Sequence, residues 1–250
     1  MGKPVILLAA FGIAALCSCR KDTAEPVPPS GATIPTDTTN QPATVSDWDG
    51  QPYPTKVIGN KRWMTKNLST SHYNNGDPIA YIPESSQWAG LAFGAWSNYA
   101  SDFAYDSYYG RLYNWYAVTD SRNVCPSGWH VATLSDWQDL ELALGMPDAE
   151  VNSLGLHGSA ENVGGQLKAL SLWEDPNLGA NDSSGFAAYP GGMRSTTGGY
   201  VNVGELGNWW TSTSFDSLNV YRHYLAHDKT GIYRTLTLRR TGCSIRCVED

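Results

Sequence analysis

Hydrophobic and polar positions divide the chain into three segments of different character. An apolar run, Val5–Leu16, follows a single positive charge and is too short to cross a bilayer. The stretch after it is rich in Pro, Thr, Ser and Ala and nearly free of large apolar residues, so burial cannot offset the entropy cost of ordering it. All ten tryptophans lie from Trp48 onward. The pattern predicts a signal peptide at 1–18, a disordered tether at 19–46 and one folded domain at 47–250.

The end of the apolar run carries a candidate lipid attachment site. The stretch 16-LCSCRKD-22 resembles a lipobox, because a branched apolar residue stands three positions before Cys19 and a small residue directly before it. An ordinary signal peptide with incidental cysteines is the alternative. We expect Cys19 to become the first residue of the mature protein and to hold the chain in membrane lipid, at the outer membrane or cell surface.

The domain opens with a predicted hairpin and continues with two predicted helices. Gly59 and Asn60 tolerate positive φ and stand between two short β-favouring runs, as in a two-residue turn. Apolar residues at helical spacing within 109–118 predict the first helix. The second helix is expected after Thr133, an N-cap residue with Asp136 three positions on, and ends before Gly145.

Most of the chain between the second helix and residue 200 is expected to be loop, and strands return after it. Five β-favouring runs lie between turn signals: Tyr200 to Val203, Trp209 to Thr213, Tyr221 to His227, Ile232 to Leu238 and Cys243 to Val248. Two helices with antiparallel strands at both ends predict a loop-rich α+β domain in which the first and last strands can pair.

Charge and cysteine content narrow the partners and the chemistry. A net charge of -7 and a pI near 5.2 argue against nucleic acid, since phosphate binding needs clustered Lys and Arg. Cleavage at the lipobox leaves three thiols in an oxidising compartment, which allows one disulfide and one free cysteine. If Cys243 and Cys247 lie on one strand they are about 13 Å apart and cannot bridge each other, whereas either one can reach Cys125.

Seven stretches of the chain resemble, in order, the pattern of the Fibrobacter succinogenes major paralogous domain. They are 47-DWDGQPYPTKVIGNKRWMTKNL-68, 110-GRLYNWYAV-118, 125-CPSGWHVATLSDW-137, 164-GGQLK-168, 185-GFAAYPGGMR-194, 209-WWTST-213 and 244-SIRCV-248. Members of that family are secreted or lipid-anchored and mostly without an assigned activity. The resemblance implies a C-type-lectin-like fold and a Cys125–Cys247 disulfide, and it leaves the role of Cys243 open.

An enzyme is the second interpretation. Trp129 to Trp137 and Gly207 to Trp210 are more distantly similar to segments of the formylglycine-generating, sulfatase-modifying group, whose oxidases bind copper through a cysteine pair. The cysteines of this chain stand inside a different segment, which disfavours that activity. Cys125 with His130 as nucleophile and base, or His223 with His227 as zinc ligands, lack the further partner that either chemistry needs. We therefore expect no enzymatic activity and interpret His130 as a hydrogen-bonded core residue.

Two sets of residues are candidates for ligand binding. Calcium prefers hard oxygen ligands, and the turn-rich stretch 173–186 offers five of them: Glu174, Asp175, Asn177, Asn181 and Asp182. These residue types are also common in turns for local hydrogen-bonding reasons. Aromatic rings in 88–109 can stack on glycan rings, and Trp88, Trp96 and Tyr99 are the candidates. The leading hypothesis is a lipid-anchored lectin-like protein that binds an extracellular polysaccharide or an envelope protein, with a purely structural surface module as a further alternative.

Overall fold

The structure is a computed structural model that describes residues 43–250, and it is mixed α+β with strands predominating. This confirms the predicted α+β class. The fourteen strands are β1 Thr44–Ser46, β2 Pro52–Ile58, β3 Lys61–Met64, β4 Ala80–Tyr81, β5 Ala95–Ser97, β6 Leu112–Tyr113, β7 Trp129–Val131, β8 Gly155–His157, β9 Gly191–Arg194, β10 Tyr200–Val203, β11 Leu206–Ser214, β12 Asn219–Ala226, β13 Ile232–Leu238 and β14 Cys247–Glu249. The predicted signal peptide, Cys19 and most of the predicted tether lie outside the described residues.

The first sheet joins the two ends of the domain. Its order is β1-β2-β3-β14-β7, and β14 pairs antiparallel with β3 through Val248 and Trp63. The predicted opening hairpin is confirmed as β2 and β3, with Gly59 at φ 64 in the turn. The last three residues of the segment predicted as a tether form β1 and pair with β2, so they belong to the first sheet.

The second sheet is built mainly from one antiparallel meander. Its order is β10-β9-β11-β12-β13-β8, with β11, β12 and β13 consecutive and β11 parallel to β9. Two predicted strands, Tyr200–Val203 and Ile232–Leu238, have the predicted bounds. The strand predicted at Trp209–Thr213 is longer at both ends, and the one predicted at Tyr221–His227 begins two residues earlier and ends at Ala226, so His227 lies outside it. A small third sheet has the order β4-β5-β6.

Five short α-helices accompany the sheets in residues 43–250, and one of them was predicted with its cap. They are α1 Ser85–Trp88, α2 Asp106–Tyr109, α3 Trp115–Val118, α4 Leu134–Ala143 and α5 Val163–Leu167. In α4 the Thr133 side chain accepts from the Asp136 amide and the Asp136 side chain accepts from the Thr133 amide, which is a complete capping box. None of these helices is long and apolar enough to cross a membrane.

Three sequence-based expectations about secondary structure need correction. The first helix was predicted within 109–118, but only its C-terminal part is helical, as α3. Leu112–Tyr113 forms β6 and pairs with β5 instead. The last predicted strand is confined to β14, since Cys243 and Ser244 make isolated bridges to Tyr113 and Trp209. The expected loop before residue 200 contains β8, α5 and β9.

Candidate functional site

The predicted disulfide is present. Cys125 and Cys247 are joined with their α-carbons 6.0 Å apart across 122 positions of sequence, and both are fully buried. The bridge ties the segment before β7 to the last strand. Cys243 is a buried free thiol, and burial raises its pKa to about 12. The three cysteines of the domain therefore offer no thiolate near neutral pH.

The histidines that a catalytic or zinc interpretation would use are engaged elsewhere. His130 is not in the core: it is half-exposed on β7, with Nδ1 2.7 Å from Asp250 and Nε2 3.0 Å from Asp136. The hydrogen bond to Asp136 opposes the effect of burial and raises the pKa of His130. His223 is buried beside Glu141, whereas Nδ1 of His227 lies 2.8 Å from the Asp175 carbonyl. His223 and His227 therefore make contacts in different parts of the fold.

A serine, a histidine and an aspartate also meet near the N-terminal end of the domain. Asp49 accepts hydrogen bonds from the Ser71 amide and hydroxyl and lies against Nδ1 of His72. The Ser71 hydroxyl is 3.2 Å from that same Nδ1. A hydrolytic triad places its nucleophile and its carboxylate on opposite ring nitrogens, so these three residues form a hydrogen-bonded turn without a proton relay.

The stretch predicted to bind calcium uses much of its polar surface for its own turns. Asn181 accepts from the Ser183 amide at 3.0 Å, and Asp182 accepts from the Ala187 amide at 3.0 Å. Asn177 donates to a backbone carbonyl. Residues 43–250 contain no group of three or more His, Cys, Asp or Glu placed to hold a metal ion. Calcium binding through Glu174, Asp175, Asn177, Asn181 and Asp182 stays a prediction.

The ammonium group of Lys168 connects the stretch 173–186 to the meander through hydrogen bonds. Lys168 is fully buried, and its Nζ donates to the carbonyls of Leu178 at 2.7 Å, Lys229 at 2.9 Å and Ala226 at 3.2 Å. Burial lowers the pKa of Lys168 to about 8. The carbonyls of the loop and of the β12–β13 turn thus converge on a cation that the chain itself supplies.

Two buried arginines act in the same way on other loops. Arg246 donates to the Asn67 side chain at 2.6 Å and to the Phe186 carbonyl at 2.7 Å, among other acceptors. Arg194 donates to the Pro83 carbonyl at 2.7 Å. Lys168, Arg194 and Arg246 belong to three of the stretches on which the family resemblance rests, so these stretches supply internal ties between loops.

Two of the three predicted stacking residues are buried, which corrects that prediction. Trp88 is 0% exposed and Trp96 is 4% exposed. Their indole nitrogens donate to the carbonyls of Arg240 and Ile79, so both rings are part of the core. Tyr99 is half-buried, with its ring tilted against those of Tyr105 and Tyr200. Trp88 and Trp96 therefore present no ring face to a sugar, whereas stacking by Tyr99 stays a prediction.

An exposed aromatic surface lies at α2, a few residues further along the chain. Tyr108, on α2, is 58% exposed, and the rings of Tyr105 and Tyr109 stack at 5.9 Å because residues four apart share a helix face. Burial, and then the neighbouring Tyr105, raise the pKa of Tyr109. Leu172, 40% exposed, closes this surface from the other side.

These residues line a continuous depression, which we call the tyrosine groove. One cavity of about 500 Å³ is lined by Tyr108, Leu172, Lys66 and Ser171, and a second of about 370 Å³ shares Tyr108 and Leu172 with it. The Lys66 ammonium and the Ser171 hydroxyl make no hydrogen bond to any residue within 43–250. The groove thus combines exposed apolar rings with polar groups that a ligand can satisfy, as binding pockets do.

The sequence pointed to part of this groove. Tyr105, Tyr108 and Tyr109 belong to the aromatic stretch considered above, whereas Lys66 and Leu172 come from distant parts of the chain and carried no signal of their own. Residue type could not predict which side chains around α2 are exposed, because four of the seven residues in 103–109 are aromatic.

The fold and the groove define a mostly β, α+β domain with a candidate ligand-binding surface, and the family comparison agrees with the motifs. The model of the Fibrobacter succinogenes major domain matches residues 57–249. The chain belongs to this family. Comparisons with the curated proteins and with the solved structures found no match.

Proposed function

We propose that this chain is a non-enzymatic, lipid-anchored protein of the outer membrane or cell surface, and that its lectin-like domain binds an extracellular polysaccharide. The observation that carries the proposal is the tyrosine groove, where the Tyr108 ring is 58% exposed beside a concave surface. A protein usually covers large rings, and an exposed one next to a depression is typical of a binding site. Membrane attachment through Cys19 completes the proposal.

The chemistry of the groove suits sugars. Sugar rings offer apolar faces edged with hydroxyl groups, so they need both aromatic surface and hydrogen-bonding partners. Tyr108 and the stacked pair Tyr105 and Tyr109 supply the first, and the Lys66 ammonium and Ser171 hydroxyl supply the second. This set of groups uses no calcium, which separates the proposal from the calcium prediction for the loop at 173–186.

The state of the three cysteines argues against an oxidase of the sulfatase-modifying type. An enzyme of the sulfatase-modifying type requires reactive cysteines, and two of the three in the domain form a structural bridge. The third, Cys243, is buried with its pKa raised to about 12. A thiol in that state is a poor nucleophile and a poor metal ligand.

Retention of the purified full chain on insoluble polysaccharides, with and without chelator, tests the proposal. We expect retention that survives chelator and falls about fivefold to tenfold in Tyr108→Ala, because stacking contributes on the order of 1 kcal/mol. Phe215→Ala is the matched control, since this ring is 51% exposed but does not line the groove.

Three results would count against the proposal. Equal retention of Tyr108→Ala and the wild type would remove the groove from the interaction. Retention abolished by chelator would move the site to the predicted calcium loop. Binding to no polysaccharide, together with capture of an envelope protein that Tyr108→Ala reduces, would make a protein the ligand of this groove.

A further inference from the structure

We infer that a second groove of the domain binds an extended peptide segment of a partner protein that carries carboxylates and apolar side chains. This groove, here the arginine groove, is lined by Ala92, Tyr116, Leu218, Leu238, Arg239 and Arg240 and has a volume of about 320 Å³. It continues past Ala92 and Tyr116 into a cavity of about 410 Å³. It shares no lining residue with the tyrosine groove.

The positive charge of this groove is unpaired within the described chain. Among residues 43–250, Arg62, Arg111 and Arg122 each form an ion pair with a carboxylate. Arg239 and Arg240 lie within 4.0 Å of none. In a chain with a net charge of -7, two adjacent arginines beside one groove give this surface a local positive charge.

The carboxylate of Asp216, a residue whose backbone carbonyl Arg239 contacts, is used mainly in its own turn. It accepts from the Asn219 side chain at 2.8 Å and from the Asn219 and Leu218 amides at 2.6 and 2.7 Å; these hydrogen bonds, with a smaller contribution from the Arg239 charge, lower its pKa. Arg239 reaches only the backbone carbonyl of this residue, at 3.4 Å. Both guanidinium groups can therefore still pair with a carboxylate of another molecule.

Both arginines are held in place before any ligand arrives. The Arg239 guanidinium lies over the Trp115 ring, 4.8 Å from its centroid. Arg240 donates to the Ala89 carbonyl, and its own carbonyl accepts from the Trp88 indole. Side chains fixed in this way lose little conformational entropy on binding a carboxylate, which favours affinity.

Apolar surface lies exposed beside the charge. Leu218 is 67% exposed and Leu238 is 44% exposed, and Phe93, at 55%, marks the junction with the adjoining cavity. A partner that supplied only charge would leave these side chains in water. Exposed apolar side chains next to two arginines favour a ligand that carries both acidic and apolar groups.

The backbone of the same groove favours a peptide over other anions. The amides of Ala92, Phe93 and Gly94 have no hydrogen-bond partner among residues 43–250, and the segment lies between the two cavities. An extended peptide can pair with such free backbone groups while its alternate side chains enter pockets. A bilayer surface is too flat to enter a concave groove.

Fluorescence anisotropy with the purified full chain tests this inference. The probe is a labelled peptide of alternating Asp and Leu, compared with the matched Asn-Leu and Lys-Leu peptides. We expect saturable binding of the Asp-Leu peptide that weakens with added salt and is at least about tenfold tighter than that of the Lys-Leu peptide. The double change Arg239→Gln and Arg240→Gln should weaken it about tenfold, whereas Arg62→Gln should leave it unchanged.

Leu218→Ser provides a second variant in case the arginine changes disturb folding. Because this side chain is 67% exposed, its replacement should leave the thermal melt unchanged and weaken peptide binding about fivefold. Equal binding of the acidic and basic peptides, or binding indifferent to both variants, would overturn the inference. Absence of peptide binding, together with sedimentation with phosphatidylserine vesicles that the double arginine change weakens, would also overturn it and assign the groove to a lipid surface.

Discussion

Two regions of this domain neutralise their buried cations in different ways. Where α4 meets β12 and β13, the Arg234 guanidinium donates to the Glu141 carboxylate at 2.6 Å, with His223 and His157 close to the same carboxylate. In the loop regions that Lys168, Arg194 and Arg246 contact, by contrast, these cations meet carbonyl oxygens and one side-chain amide.

The difference follows from the backbone of each region. Strands of the meander satisfy their own carbonyls through the ladder, so a cation buried there needs a charged partner. Loops leave carbonyls without amide partners, and a buried cation satisfies several of them at once. The first region should therefore respond to acid, whereas the second should depend on the shape and length of its cations.

Glu141→Gln should have the largest effect, because it leaves the Arg234 charge buried without its counter-ion. We expect a loss of about 3–5 kcal/mol in the free energy of unfolding at neutral pH, measured by urea denaturation. Burial alone would raise the pKa of Glu141, but His157, His223 and Arg234 hold it at about 2. The stabilisation is present above the unfolded value of 4.5 and is lost as the pH falls toward 2.

The pH series makes this prediction specific. The gap in unfolding free energy between the wild type and Glu141→Gln should narrow as the pH falls from 5 to 2. Glu249→Gln is the control, because this exposed carboxylate meets Arg62 at 3.2 Å and its loss should cost less than about 0.5 kcal/mol. A gap that stayed constant across the series would show that the carboxylate charge is not what stabilises this region.

Arg246→Met should have the next largest effect and test the loop region. Methionine fills a similar length but removes the arginine donor from the Met64, Phe186 and Ala187 carbonyls and one of the two donors to the Asn67 side chain, which should cost about 3 kcal/mol. In urea denaturation this loss should change less between pH 5 and 3 than that of Glu141→Gln, because the direct partners of Arg246 are uncharged oxygens. Arg62→Met, at a half-exposed arginine, should cost under about 0.5 kcal/mol. A comparable loss in both variants would contradict the role assigned to buried cations.

Tyr108→Ala should have the smallest effect on stability, because its ring is exposed and its hydroxyl makes no hydrogen bond within residues 43–250. We expect a change within about 0.5 kcal/mol in the free energy of unfolding. A loss above about 1.5 kcal/mol would identify Tyr108 as a packing residue and weaken its assignment to ligand binding.

Elements whose signals are local were predictable. The capping box at Thr133 and Asp136 and the turn at Gly59 depend on residues a few positions apart, and both are present as expected. The first predicted helix was wrong over Leu112–Tyr113, because pairing with β5 outweighs a weak helical period. Tertiary contacts of this kind cannot be read from spacing.

The candidate site was predicted only in part, for a related reason. Trp88 and Tyr108 belong to the same aromatic stretch, yet one is 0% and the other 58% exposed. Residue type sets how much a ring gains from burial, but the space that each ring occupies is set by packing against distant segments. The sequence did not indicate the arginine groove, because two adjacent arginines in a sequence do not show whether carboxylates lie near them in the fold.

The sequence by itself determined the family, the α+β class, the capped helix and the cysteines available for the bridge, because these depend on local pattern and residue chemistry. Only the tertiary structure decided which rings are exposed, which arginines lack a counter-ion and which carbonyls each buried cation meets. A buried charge is tolerable only where its partners converge, and here those partners come from segments that are far apart in the chain.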